Sequence, residues 1–361
     1  MAFHITVLSD DGTGAEVCRE AIRILHAVNS FYNCEFEIQE IPIGGASMEE
    51  AGMPLLESTL QACLGSDALL WGGGGEQQLH ALKPSVGTKE CLLHLLGILG
   101  AFANVCQVVC FKEAAGRSLL QRAKNEDMDV LVVQQLVQEM HMLARNTSRE
   151  DPSRYSIEGT KRIAHVAFGQ ARLRRKRLVS IDTTEIVDKC GIWRDTMIKV
   201  SRHYPDVKLD HMDVDSWAMN LAANPTHFDV IVTPDFFGDL VMGEVTAAAG
   251  LPKILASATM TEKVNLYEPV YRPDVNLAGK GMSNPLGAIS AAALLLRHSA
   301  GMKAEASDLE AAIRRVLDAG YRTADLGRPG DSHIVGTTEM GLLVEQAFME
   351  ILDRRFAFHA V

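Results

Sequence analysis

Short apolar runs alternate with stretches of helical periodicity along most of the chain. His4 to Leu8 reads as a strand. A glycine-containing turn follows, and Val17, Ala21, Ile22 and Leu25 then recur at the spacing that gathers apolar residues on one face of a helix. The pattern repeats with the strand Phe36 to Ile41, the helix Pro54 to Leu64 and the strand Ala68 to Trp71, which runs straight into Gly72-Gly73-Gly74-Gly75. Val130 to Val133, Leu178 to Ile181 and Val230 to Thr233 are further strands. Continuous apolar runs of this kind belong to strands covered on both faces. Helices are predicted between them over Thr160 to Lys176 and Trp193 to Arg202. The last third adds Pro285 to His298, Ala306 to Leu317 and Gly336 to Leu352. The predicted class is α/β.

Length changes this picture by dividing it. At 361 residues the chain exceeds the roughly 250 to 300 at which a single core stops growing, so two domains are expected. A content of 47% hydrophobic and 22% charged residues is that of a globular protein rather than a disordered one. The formal charge of −11 argues against a nucleic-acid scaffold, which needs a basic face. The one dense cationic run, Arg172 to Arg177, reads as a solvated helix end before a strand. No apolar run reaches the roughly eighteen residues of a membrane helix, and the opening segment is a strand pattern with no basic start, so a cytoplasmic protein is expected. The seven cysteines are scattered, odd in number and mostly in apolar surroundings, as buried free thiols would be. Cys106 and Cys110 are spaced C-x3-C, but no second Cys/His pair lies near them to complete a zinc site.

Two segments carry candidate chemistry. Four glycines after a strand let backbone N–H groups approach a phosphate; the same run also serves as a flexible turn at a strand end, and it has neither the G-x-G-x-x-G setting nor a Walker lysine. The richer segment is His211 to Gly250. It places Asp213 and Asp215 before a helix, Asp229 before the strand Val230 to Thr233, and Asp235 and Asp239 in a predicted loop after that strand. Carboxylates at the mouth of a strand are hard oxygen ligands suited to magnesium or manganese, and are also ordinary solvated turn residues.

This segment resembles the β-hydroxyacid oxidative decarboxylases, the isopropylmalate/isocitrate dehydrogenase family. V-D-x-x-A-M-x-L is matched by Val214 to Leu221, and P-x-x-F-D-V-I-V-T-x-N-x-F-G-D by Pro225 to Asp239, with Asp235 at the asparagine. Leu8 to Glu16 resembles P-G-D-G-I-G-P-E, Ile43 to Ser47 matches I-G-G-A-S, and Phe102 to Val105 is similar to F-A-N-L. Tyr267 to Pro285 resembles F-E-P-V-H-G-S-A-P-D-I-A-G-K-G-I-A-N-P. Arg322 to Leu326 and Gly336 to Gly341 are similar to R-T-x-D-L and G-T-x-E-M. The resemblance implies a two-domain, non-Rossmann fold with a cleft between the domains. The first, cofactor-side domain would be 1–102 with 249–361. The second, 103–248, would carry the dimer interface and the metal aspartates. It further implies a homodimer in which Thr183 and Asp215 are lent to the partner's site.

Carried over residue by residue, the family's metal aspartates correspond to Asp215, Asp239 and Gly243, so the third is missing; Glu244 beside it, or Asp235, is the candidate replacement for magnesium or manganese. The lysine of V-D-K-A-N corresponds to Thr183, and the proton-donating tyrosine to His141, which a polar helix-face residue would explain equally. Together with Asp215 these are the candidate catalytic residues. The three arginines that grip the malate carboxylates correspond to Leu96, Cys106 and Gln134. Loop cations such as Lys112, Arg145, Arg149 and Arg154 are the available substitutes. For the cofactor, Gly73, Gly74, Glu268, Tyr271, Asn276 and Asn284 are the candidate contacts. Asn276 replaces an acidic residue that favours a free 2′-hydroxyl, and Arg272 suits a 2′-phosphate; NAD remains the first choice, with NADP the alternative.

The expected activity is an NAD(P)-dependent, metal-assisted oxidative decarboxylation of an unusual malate-like acid, neither isopropylmalate nor isocitrate. Two alternatives remain: a catalytically silent member serving as a regulatory or binding subunit, and a metal-assisted non-oxidative decarboxylase.

Overall fold

The computed structural model describes residues 2–9, 12–73, 88–110, 128–136, 157–182, 191–250, 252–271, 275–327 and 333–359. The chain divides into two compact units, Met1–Leu99 with Lys253–Val361, and Gly100–Pro252. The first unit opens with β1 (Phe3–Ser9), α1 (Thr13–Tyr32), β2 (Phe36–Pro42), α2 (Gly45–Ala51), α3 (Glu57–Leu64), β3 (Ala68–Trp71) and α4 (Thr88–Leu99). The second unit holds β4 (Ala103–Val109), β5 (Asp129–Gln135), α5 (Ile157–Arg172), β6 (Arg177–Asp182), α6 (Ile192–Ser201), β7 (Lys208–Asp213), α7 (Val214–Ala223), β8 (Val230–Thr233) and α8 (Asp235–Ala249). The chain then returns to the first unit with β9 (Ala256–Met260), β10 (Leu266–Pro269), α9 (Leu286–His298), α10 (Lys303–Asp318), β11 (Tyr321–Arg322), β12 (His333–Ile334) and α11 (Thr337–His359).

In the first unit the strands run in the order β2, β1, β3, β10, β9, parallel except for the antiparallel β9–β10 pair. Its strand β3 (ALLW) is buried at every position, as an unbroken apolar run requires. One side of this core packs Leu8, Leu69 and Trp71 with Leu92, Leu95 and Leu99 of α4. In the second unit the order is β4, β5, β8, β6, β7, with β4 antiparallel to β5 and the rest parallel.

The helix Pro54 to Leu64 begins later than expected, at Glu57, because the chain turns through Pro54 first. The helix Thr160 to Lys176 is shifted: it starts at Ile157 and ends at Arg172, and Lys176 adopts the left-handed conformation (φ 61°) that ends the turn before β6. The arginine run there is not simply solvated. Arg174 Nε donates to the fully buried carboxylate of Asp229 at 3.0 Å and its Nη2 lies 2.8 Å from Asp129, while Arg175 donates to the Phe228 and Thr226 carbonyls. A buried carboxylate needs a cation, and this run supplies it. A second correction concerns Asp235 and Asp239, which lie in the first turns of helix α8 rather than in a loop. Six cysteines are described, and all are free. No helix among the described residues is long and apolar enough to cross a membrane.

Candidate active site

The first unit holds a pocket at the start of α1. It is lined by Thr13, Val17, Gly72, Lys253, Pro269, Tyr271, Leu277, Ser283, Asn284, Gly287, Ala288 and Asp325. Backbones meet closely at its mouth. A Cβ on Gly72 would lie 2.3 Å from the Gly14 carbonyl oxygen, and one on Gly14 would lie 2.4 Å from that of Gly73. Only glycines allow α1 to start against the end of β3, and Gly73 is buried with φ at 86°. Tyr271 is exposed, with the Lys253 ammonium 4.4 Å from its ring centroid. Lys253 Nζ also lies 3.5 Å from Asp325 Oδ2. Asn284 donates to that same oxygen at 3.3 Å, while its carbonyl oxygen accepts from the N–H of Leu286, the first residue of α9, at 2.9 Å. Both ends of the Asn284 amide are therefore engaged within the chain. Glu268 lies on β10, half-buried and opposite Ser257 of β9, and Asn276 is exposed. Gly74 lies outside the described residues.

The second unit carries the aspartates. Asp215 is exposed in the first turn of α7, after Asp213 at its N-cap, and Asp239 is exposed on α8. Gly243 is one helical turn beyond Asp239 on the same face, and a Cβ there would meet nothing within 4 Å. Glu244, five residues after Asp239, is turned about 140° around the helix from it. Among the described residues no three His, Cys, Asp or Glu side chains of one chain come together as a metal site. His141 and Thr183, with Lys112, Arg145, Arg149 and Arg154, lie outside the described residues.

None of the three positions corresponding to arginines holds a cation. Leu96 packs against the core of the first unit, and Cys106 is fully buried on β4, where desolvation pushes its thiol up to about 12. Gln134, nearly buried at the end of β5, lies across Gly238 so closely that a Cβ there would fall 2.0 Å from its Cδ.

Sequence reasoning missed an ion network beside Asp215. Asp182, fully buried at the end of β6, accepts from Arg194 Nε at 3.0 and 2.9 Å and from Nη2 at 2.8 Å; Nη2 also donates to Asp213 at 3.1 Å. Trp193 donates to Ser180 on the same strand. His211 on β7 has both ring nitrogens buried without a hydrogen-bond partner among the described residues. Desolvation lowers its pKa, an effect that Asp182 opposes and Arg194 reinforces. The Trp193-Arg194 pair at the start of a helix was the available signal.

A family profile described as isocitrate/isopropylmalate dehydrogenase matches residues 4–344. The chain belongs to that family. It is 37% identical over 351 residues to a 3-isopropylmalate dehydrogenase of Burkholderia lata, covering 93% of this chain and 98% of the relative. It is 34% identical over 346 residues to that of Wolinella succinogenes, covering 95% and 97%. Among solved structures it resembles an isocitrate dehydrogenase from Methylococcus capsulatus (TM-score 0.78, 24% identity, 96% of this chain and 99% of that one). It also resembles a β-decarboxylating dehydrogenase from Thermococcus kodakarensis (TM-score 0.77, 23% identity, 97% of each chain). The fold is therefore that of the isocitrate/isopropylmalate dehydrogenases. The family and the names of its members support a decarboxylating hydroxyacid dehydrogenase, an oxidoreductase, as the class of activity.

Proposed function

We propose that this family member is an NAD(P)-dependent, divalent-metal-assisted oxidative decarboxylase of a malate-like acid other than isopropylmalate or isocitrate, acting in the cytoplasm as a homodimer. The observation that carries the substrate reading is the replacement of three guanidinium positions by packed, uncharged side chains at Leu96, Cys106 and Gln134. A guanidinium fork fixes a carboxylate through two parallel hydrogen bonds, and each such charge-assisted bond is worth about 1.5 to 3 kcal/mol. Cys106 is sealed in the core and Gln134 is wedged against Gly238, so neither substitutes for that fork.

In this reading the donors for a hard divalent cation come from two chains, since no three of them gather among the described residues of one. Asp239 of one chain and Asp215 of a second would be its carboxylate ligands, with Gly243 leaving open space where a third carboxylate would otherwise stand. Such an ion, when bound, supplies Lewis acidity at the substrate hydroxyl oxygen. The roles of this chain's residues follow: Asp215 and Asp239 orient the hydroxyl-bearing carbon, the pocket of the first unit holds the dinucleotide, and His141 is the proposed proton carrier, since Thr183 has no useful basicity near neutral pH.

The test is reduction of NAD and NADP by purified protein with magnesium or manganese, against isopropylmalate, isocitrate, homoisocitrate and a panel of malates bearing other acidic or neutral groups. The expected result is no appreciable turnover with the first three and turnover with one of the panel. Ready turnover of isopropylmalate would overturn the substrate reading. Release of carbon dioxide without cofactor reduction would indicate the non-oxidative alternative.

A further inference from the structure

Arg194 joins the ends of two strands that lead into the residues proposed to be lent to a partner's site. Its three hydrogen bonds to Asp182, a carboxylate with no solvent exposure, fix the guanidinium at the end of β6. The Trp193 indole beside it donates at 2.8 Å to Ser180, two residues earlier on the same face of that strand. Two adjacent side chains thus pin the first turn of α6. Held there, Arg194 Nη2 also reaches Asp213 at 3.1 Å. Asp213 is the register partner of Asp182, the last residue of β7 and the N-cap of α7, and Asp215 follows in the first turn of that helix. An N-cap aspartate ordinarily accepts from N–H groups of its own helix. Asp213 makes no such bond, and its carboxylate is held by Arg194 instead. The start of α7 is therefore tied to α6 rather than capped by its own side chain.

We infer that Arg194 is a positioning residue: through Asp213 it sets the direction in which Asp215 is presented to a divalent cation in the partner's site. The inference rests on the two-chain metal reading given above. Magnesium demands near-octahedral geometry, so the placement of each carboxylate bears on affinity. Asp215 is exposed, and the helix start that carries it is the part Arg194 holds. The competing structural role is that Arg194 only neutralises the buried Asp182, with Asp213 an ordinary exposed ion-pair partner.

Manganese binding by the full chain, followed through the electron paramagnetic resonance of the free ion, separates these. Asp213→Ala removes the tether and leaves the Arg194–Asp182 bonds in place. The expected result is about three- to fivefold weaker binding, the scale of one exposed ion pair. Asp213→Asn keeps an acceptor for Nη2 and stays within about twofold of the unmodified chain. In the double variant Asp182→Asn with Arg194→Met, affinity falls as in Asp213→Ala, and adding Asp213→Ala to it costs nothing further. Undiminished binding by Asp213→Ala overturns the inference while leaving the metal site standing. So do equal losses in the Asn and Ala variants, which make charge rather than placement the cause. Mixed dimers then locate the effect. With Asp239→Ala on one chain and Asp213→Ala on the other, one site keeps full affinity; with both changes on one chain, neither does. The opposite pattern confines the effect of Arg194 to its own subunit and overturns the inference. If the unmodified chain binds no manganese, the metal reading falls and takes the inference with it.

Discussion

Replacing Arg194 by methionine isolates the energetic role of the network beside the aspartate-rich segment. Asp182 is fully buried, and it accepts three hydrogen bonds from this one guanidinium. Asp182 and Asp213 are also register partners on β6 and β7, so two carboxylates face each other across neighbouring strands with Arg194 Nη2 bonded to both. Like charges directly opposite on a sheet repel. Methionine keeps much of the arginine stem's volume but leaves Asp182 charged and without that partner, a change that costs about 3 to 5 kcal/mol when a buried pair is broken. The assay is equilibrium denaturation followed by tryptophan fluorescence, since Trp193 and Trp217 both lie in the second unit and report its unfolding. In the double variant Asp182→Asn with Arg194→Met the stranded charge is gone, and most of the loss should return. A loss below about 1 kcal/mol, the range of an exposed ion pair, or no recovery in the double variant, would refute the reasoning.

Gly72→Ala should destabilise the first unit by about 1 to 3 kcal/mol, because its Cβ meets the Gly14 backbone and Cys18 Sγ, with a matching fall in nucleotide affinity measured by calorimetry. His298 is held neutral, its pKa lowered to about 4 chiefly by burial and further by Arg297 and Lys303. The folded state thus binds its proton less readily than the unfolded one, whose pKa is about 6.5. Its stabilising contribution is complete above about pH 6.5 and is lost as pH falls towards 4, by an amount on the order of 3 kcal/mol, and His298→Gln should flatten that part of a stability-against-pH curve. Light scattering should show a dimer at micromolar concentration, and a stable monomer would remove the shared-site proposal. Magnesium or manganese should raise the melting temperature relative to chelator with nucleotide present, and Asp239→Ala should abolish the shift.

The fold was legible where burial on both faces forces an unbroken apolar run. Ala68–Trp71 and Val230–Thr233 are strands with the boundaries their patterns predict, and Leu178 to Ile181 falls inside β6. It was not legible where a strand is partly exposed: β7 (KLDHMD) lies at the end of the strand order, its residues half-buried or exposed, and its pattern has no hydrophobic alternation to register. Helix α8 was misread at its start because FFGDLVMGE contains two glycines and two aromatics, poor helix formers. Tertiary contact offsets that weakness: Gly238 leaves the space in which the Gln134 side chain lies across the helix.

The site divides along a similar line. Asp215 and Asp239 became candidates because they sit within a contiguous motif, and the arginine positions because fixed places in the chain could be compared with it. Lys253, Thr13, Ser283 and Asp325 form one pocket from segments spread over some three hundred positions, so no local pattern announces them. The three arginine positions, by contrast, hold packed apolar or neutral side chains, while the pocket proposed for the nucleotide keeps its close glycine approach at Gly14 and Gly72. A silent subunit that bound no nucleotide would have no use for that pocket, and nucleotide binding in the absence of any turnover would separate a regulatory role from a catalytic one.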